Sequence, residues 1–242
     1  MSNNVNPYKT STRSKKEQVE QMFDTISGEY DDLNRVISFG IDVKWRKKVI
    51  QLVKQSNADR VLDVATGTGD LAIQMVDTGA TEIVGLDISN GMLEVGRKKI
   101  AAKGYQDKIQ MVQADSEQLP FEDDHFDAIT VAFGVRNFEN LEKGLSEILR
   151  VLKPKGLFVV LETSVPTKTP FKQGYSLYSK HLLPLIGRIF SKDKDAYAYL
   201  SESASVFPHG ETFNNILRKI GFSKVNNDAQ TFGVATIYTA SK

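Results

Sequence analysis

The apolar positions of this chain change period along its length, and each change marks an element. Val19, Met22, Phe23 and Ile26 recur at helical spacing until Ser27-Gly28 interrupts them, and Trp45, Val49, Ile50 and Val53 repeat that period as a core-facing stripe. Between the two, the stretch from Tyr30 to Trp45 mixes aromatic, acidic and amide residues with neither regular period, so a loop or broken helix is expected there. Val61-Leu62-Asp63-Val64 then sets apolar residues around one acid, Gly67 and Gly69 follow, and Leu71, Ala72, Met75 and Val76 resume the helical pattern. The combination describes a buried strand that turns sharply into a helix.

From there the pattern alternates. Strands are predicted at 83–87, 109–113, 126–133 and 156–162. One intervening helix carries Met92, Leu93, Val95 and Ile100 behind a Ser89-Asn90 cap, and another carries Leu141, Leu145, Ile148 and Leu149 and stops before Pro154. A helix at 211–220 and strands at 222–226 and 233–240 close the chain. This alternation predicts an α/β protein whose sheet is mostly parallel. In such sheets ligands gather beyond the carboxyl ends of the strands, which here carry Gly67 to Gly69, Asp87, Asp115-Ser116, Arg136-Asn137 and Glu162.

The glycine turn narrows the ligand. Backbone N–H groups are exposed at such a turn, and a side chain at Gly67 or Gly69 would hold a guest away from them. Gly67-Thr68-Gly69-Asp70-Leu71-Ala72 fits the dinucleotide fingerprint, and Asp87 ends the next strand where an acid grips a ribose, so an NAD-dependent oxidoreductase is one reading. Against it, Asp70 would repel a pyrophosphate at the helix N-terminus. S-adenosyl-L-methionine has a ribose and a sulfonium cation but no phosphate, and suits these acids better.

Composition excludes more than it selects. The chain has 242 residues, 31 basic and 30 acidic, giving a formal charge of +1, so no overall field favours nucleic acid. Without cysteine there are no disulfides, zinc thiolates or thiol nucleophiles, and no spacing of the three histidines suggests a metal site. Met1 to Lys16 is polar and basic, and no apolar run reaches spanning length, which points to a cytoplasmic protein. Residues 1–14 have little to bury and are expected to form a disordered lead-in.

Asp63-x-Ala65-x-Gly67-x-Gly69, Asp87, Asp115-Ser116 and Leu152-Lys153-Pro154-x-Gly156 resemble, in order and spacing, the motifs of class I S-adenosylmethionine-dependent methyltransferases. Tyr30-Asp31-x-x-Asn34-x-x-Ile37-Ser38-x-Gly40, with Trp45, and the run from Arg150 through Glu162 to Ser164 look like the two signatures of the ubiquinone/menaquinone biosynthesis C-methyltransferases. Ala65 and Lys155 stand where the family usually has glycine. The resemblance implies a Rossmann-like, doubly wound, seven-stranded sheet with a helical insertion before the last strands. It implies one methyltransferase domain over 15–242, with N-terminal helices at 15–57 and a substrate-covering insertion at about 165–205. The activity implied is C-methylation of a prenylated quinol, demethylmenaquinol first and a ubiquinone precursor second.

Within that reading Asp87 accepts from the ribose hydroxyls, Thr68 and the Gly67 and Gly69 amides hold the amino acid end, and Asp115 and Ser116 border the adenine. Arg136 stabilises the phenolate of the substrate while Asn137 and Tyr30 orient its ring oxygens; the alternative for Arg136 is a plain ion pair with Glu139 or Glu162. Phe171, Tyr175, Leu177, Tyr178, Leu182 and Phe190 lie in a dense apolar stretch with lysines interspersed. It reads as a lid, a peripheral membrane contact over 171–194 that would bring the protein transiently to the inner face of the membrane, or a homodimer contact. A non-catalytic membrane-binding module is the third class of function. His125 falls in a polar turn, whereas His181 and His209 have positions from which either could face substrate.

Overall fold

Both faces of a mostly parallel sheet must be covered, and the strand sequences alternate accordingly. In β1 (Arg60–Val64) Val61 joins one apolar cluster and Leu62 and Val64 the other; in β4 (Phe126–Ala132) Ala128 opposes Ile129 and Val131. The computed structural model describes residues 5–178 and 193–242. With β2 (Glu82–Asp87), β3 (Ile109–Gln113), β5 (Leu152–Thr163), β6 (Ser223–Gln230) and β7 (Ala235–Ser241), these strands form one seven-stranded sheet in the order β3-β2-β1-β4-β5-β7-β6. β3 through β5 run parallel, and β7 lies antiparallel between β5 and β6. The order reverses between β2 and β4 on either side of β1, the place where open α/β sheets bind ligands.

Helices α3 (Asp42–Gln55) and α4 (Asp70–Gln74) cover one face through Trp45, Val49, Val53 and Leu71; α6 (Leu141–Val151) and α9 (Glu211–Ile220) cover the other through Leu145, Ile148, Phe213 and Leu217. α5 (Asn90–Lys103) is capped by Ser89, whose hydroxyl accepts from the Met92 N–H at 3.1 Å, as its sequence predicts. A further group lies over the carboxyl ends of the strands. α1 (Lys15–Ile26) packs Val19, Met22 and Phe23 against Met92 and against Tyr199 of α8 (Lys194–Val206).

One expectation is narrowed and two change. The aperiodic stretch after Tyr30 is a broken helix: α2 (Tyr30–Ser38) ends where Phe39 and Gly40 take φ of +50° and +70°, and α3 follows. The supposed lead-in is attached from Val5 onward, because Val5 and Tyr8 pack beside α1 and the Tyr8 hydroxyl donates to Asp193 at 2.6 Å. β5 begins at Leu152 rather than 156 and carries Pro154 through a register shift against β4. Of the apolar stretch, only α7 (Phe171–Leu177), Tyr178 and the part from Asp193 on are described; His181, Leu182 and Phe190 lie outside the described residues.

Ala65 and Lys155, the residues standing where glycine is usual, have φ of +53° and +65°, so the glycine-like backbone is kept without glycine. At Ala65 this depends on Gly134, where an added Cβ would lie 2.5 Å from the Ala65 Cβ and 3.0 Å from Val131. Gly134→Ala should therefore destabilise the protein by about 1–3 kcal/mol, and less in an Ala65→Gly background, a coupling that thermal unfolding of the single and double variants measures.

Candidate active site

The loop leaving β1 passes through left-handed backbone at Ala65, Gly67 and Gly69 and brings its amides to the tip of β2. There the Gly67 N–H donates to Asp87 Oδ2 at 2.8 Å, and the Ser89 N–H donates to Oδ1 at 2.9 Å. Burial pushes the Asp87 carboxyl up to about 6 in spite of these two bonds. Asp63, one strand away, is likewise raised to about 6 by burial, while the hydroxyls of Thr66 (2.6 Å) and Thr130 (2.7 Å) donate to it. A cleft of about 670 Å³ opens beside Asp87, and Gly67, Ile88, Asp115, Ser116 and Asn137 also line it. α1 forms its outer wall, and Lys16 reaches across to Asp115 at 3.0 Å.

The residues fit S-adenosylmethionine. Each Asp87 oxygen takes one backbone N–H and so keeps lone pairs for a vicinal diol. A Cβ at Gly67 would meet only the Tyr30 ring, at 3.9 Å, so the loop leaves room for a guest. Asp87, Asp115, Glu117 and Glu139 give the cleft acids in excess of its lysine, a lining suited to a cationic ligand and hostile to a pyrophosphate.

A second cleft, about 930 Å³, adjoins the first and shares Tyr30 and Phe133 with it. Ile37, Trp45, Tyr175 and Leu200 make it largely apolar, and Arg46 and Arg136 bring cations into it. Arg136 is hydrogen-bonded to the fully buried Glu162. Burial alone would weaken the charge on Arg136, but Glu162 offsets that and holds the guanidinium above its ordinary value. Burial keeps the phenols of Tyr30 and Tyr175 above their ordinary range, so at neutral pH they donate hydrogen bonds and do not act as bases. The Tyr199 hydroxyl donates to Asn137 Oδ1 at 3.1 Å. From this cleft a groove of about 830 Å³ leads outward between α2, α7 and the turn before β7.

Gly67, Asp87, Asp115, Ser116, Asn137 and Tyr30 thus share the first cleft, with Arg136 in the second. Thr68 and Gly69 line neither. The Thr68 hydroxyl donates to Asp31 at 2.6 Å, and Lys99 bonds Thr68, Asp31 and Asp70 together. The Thr68 side chain is therefore committed to joining α2 to the glycine loop. The charge of Asp70 is met by Lys99, so its repulsion of a phosphate is weaker than the sequence suggested. Arg136 does make the ion pair considered for it, with Glu162, and also faces the cleft. Lys16, Asp31 and Lys99 escaped the sequence reading because their partners lie far along the chain. His209 lines neither cleft, and His125 packs against Phe121 and Phe126.

A sheet with this strand order, a glycine loop at the switch point and an acid at the next strand tip define a class I S-adenosylmethionine-dependent methyltransferase. The fold is shared by the [4+2]-cyclase SpnF (17% identity, TM-score 0.67, covering 96% of this chain and 97% of that one). It is also shared by a SAM-dependent methyltransferase from Aquifex aeolicus (16% identity, TM-score 0.57, covering 81% and 88%). Residues 11–242 match the model of the ubiE/COQ5 methyltransferase family, and the chain belongs to that family. It is 47% identical over 239 residues to the demethylmenaquinone methyltransferase of Bacteroides fragilis, covering 98% of this chain and 97% of the relative. It is 46% identical over 230 residues to the ubiquinone/menaquinone biosynthesis C-methyltransferase UbiE of Geobacter sulfurreducens, covering 94% and 90%. The oxidoreductase reading is set aside.

Ionised Asp87 is the form that accepts from a diol, whereas burial favours the protonated form when no ligand is present. The affinity for S-adenosylmethionine should therefore rise as pH increases through about 6 and level off above it. Calorimetry on wild type and Asp87→Asn checks this: the variant should lose about 1–3 kcal/mol of affinity at neutral pH together with most of the pH dependence near 6. Since Asp63 also lies near 6, a dependence that survives in the variant would assign the titration to Asp63 instead.

Proposed function

We propose that the protein methylates a ring carbon of a prenylated quinol, with demethylmenaquinol as the substrate. The observation that carries this reading is the apolar second cleft, which meets the cofactor cleft at Tyr30 and Phe133 and holds Arg136 together with Arg46 as its cations. Relatives in Bacteroides fragilis and Porphyromonas gingivalis are named demethylmenaquinone methyltransferase, which supports the naphthoquinol nucleus. S-adenosylmethionine supplies the methyl group when bound.

The chain's own residues prepare the acceptor. A quinol carbon becomes a strong nucleophile when the neighbouring hydroxyl ionises, so charge must be stabilised on that oxygen in a dry site. Arg136 does this, held in place by Glu162 behind it. Its guanidinium stays protonated and so acts as an electrostatic partner and not as a base. Tyr30 and Asn137 orient the ring oxygens, and Tyr199 fixes the Asn137 amide. The outer groove receives the prenyl tail, with Ile37, Trp45 and Tyr175 continuing the apolar wall.

The direct test offers the protein a reduced demethylated naphthoquinone and a reduced benzoquinone analogue side by side with S-adenosylmethionine. A mass increase of one methyl group in the naphthoquinol product is expected, and methylation of neither ring removes the reading. Arg136→Lys keeps the charge but loses the planar fork, so kcat should fall by about 10²–10³-fold while cofactor affinity and melting temperature stay near wild type. Shortening the prenyl tail should raise KM with little change in kcat, since each buried CH₂ contributes about 0.8 kcal/mol; steady-state kinetics on a tail-length series measures this.

A further inference from the structure

Among the described residues seven large apolar side chains are exposed, and six of them, Val36, Phe39, Val43, Phe171, Leu177 and Phe232, belong to three segments at the mouth of the outer groove. These segments are the corner between α2 and α3, helix α7, and the turn before β7. The seventh, Val206, ends α8 and lines none of the clefts. Singly scattered exposed apolar residues are ordinary, but a cluster around one opening marks a contact surface.

The two most exposed aromatics are held outward by unusual backbone. Phe39 is 69% and Phe232 68% exposed, and their φ values of +50° and +58° lie in a region that bulky side chains rarely adopt. The Phe232 ring stacks on Phe171 with centroids 3.8 Å apart, and Phe39 lies 6.2 Å from Tyr178 across the groove. Neither tip folds back to bury its ring.

Exposed cations flank the same segments. Arg35 precedes the α2–α3 corner, Lys44 and Lys48 lie one turn apart on α3, and Lys168 and Lys172 bracket Phe171. Lys48 donates to Gln230, next to the Thr231-Phe232 tip, at 2.6 Å. Of the nearby acids, Asp42 is buried, hydrogen-bonded to Ser38 and ion-paired with Arg46, Asp228 stands 3.8 Å from Lys48, and Asp32 on α2 is exposed. Aromatic tips among lysines are the composition of a surface that enters the headgroup layer of an anionic membrane.

We infer that this mouth docks on the surface of an anionic phospholipid bilayer, with Phe39, Phe171 and Phe232 entering the interface and the cations facing lipid phosphates. The inference rests on the prenylated quinol reading, because it supplies the route by which an apolar tail passes from bilayer to groove without crossing water. It joins the start of the stretch 171–194, which the sequence suggested as a membrane contact and of which 179–192 lie outside the described residues, to two segments distant along the chain.

The test is co-sedimentation of the full chain with phosphatidylcholine vesicles containing about 30% phosphatidylglycerol, and with pure phosphatidylcholine vesicles. Wild type should bind the anionic vesicles more tightly, and added salt should weaken but not abolish that binding. Phe39→Ser/Phe232→Ser should lower the partition coefficient by about tenfold or more, and Val206→Ser should not change it. S-adenosylmethionine affinity and melting temperature of the double variant establish that it is folded, and Leu177→Glu, outside the groove lining, should reproduce the loss if it is not. Wild type that ignores both vesicles, or folded variants that bind like wild type, overturn the inference. Turnover of a tail-less reduced demethylated naphthoquinone in vesicle-free buffer separates the two claims. Turnover without vesicle binding overturns only the docking, and vesicle binding without turnover of any quinol overturns only the substrate reading.

Discussion

One hydrogen bond at the crest of the sheet holds the site together: the Gly67 N–H donates to the carboxylate of Asp87 across the tips of two adjacent strands. It fixes the loop leaving β1 against the end of β2, and so sets where the loop amides and the Asp87 carboxylate stand relative to one another. The bond goes with left-handed backbone at Gly67, and it offsets part of the cost of burying the Asp87 carboxylate. Asp63 beneath the loop repeats the arrangement, with two threonine hydroxyls in place of amides. Two desolvated carboxylates at the switch point are costly for an empty protein, and a cation bound beside them relieves part of that cost.

Helices α1 and α2, which cover the site, are tied back to this crest. Lys15 donates to the carbonyls of Arg136 (3.1 Å) and Phe138 (2.9 Å), pinning the start of α1 to the loop that carries Arg136. Lys16 holds Asp115, and the cluster of Asp31, Thr68, Lys99 and Asp70 fastens α2 to the glycine helix. The cover therefore touches the cofactor side with one set of residues and the apolar side with another. Tyr30 belongs to both, and with Phe133 it forms the boundary between the two clefts. In the proposed reaction, excluding water there would strengthen the interaction of Arg136 with a developing phenolate.

Backbone strain is concentrated in the same region. Ala65, Phe133 and Phe39 all have positive φ without being glycine, at the cofactor loop, at the wall between the clefts and at the groove mouth respectively. Such positions persist only where the surroundings over-determine them. Gly134 beneath Ala65 is one such determinant, since its missing Cβ leaves the space the alanine methyl occupies.

Much of this was legible along the chain. Short apolar runs bounded by turn residues identified strands buried on both faces, the Gly67-x-Gly69 turn and Asp87 marked the edge where the first cleft opens, and Ser89 marked a helix start, because each depends on neighbours within a few residues. The family motifs likewise lie in short runs. What tertiary structure alone decided are pairings between distant residues: the commitment of Thr68 to Asp31 and Lys99, the Arg136–Glu162 pair, and the attachment of the segment after Val5. A local pattern records which face a residue turns to the core. It carries no information on which of several acids a buried cation meets, or on which loop tips converge on one mouth, because those choices follow from how separate elements pack.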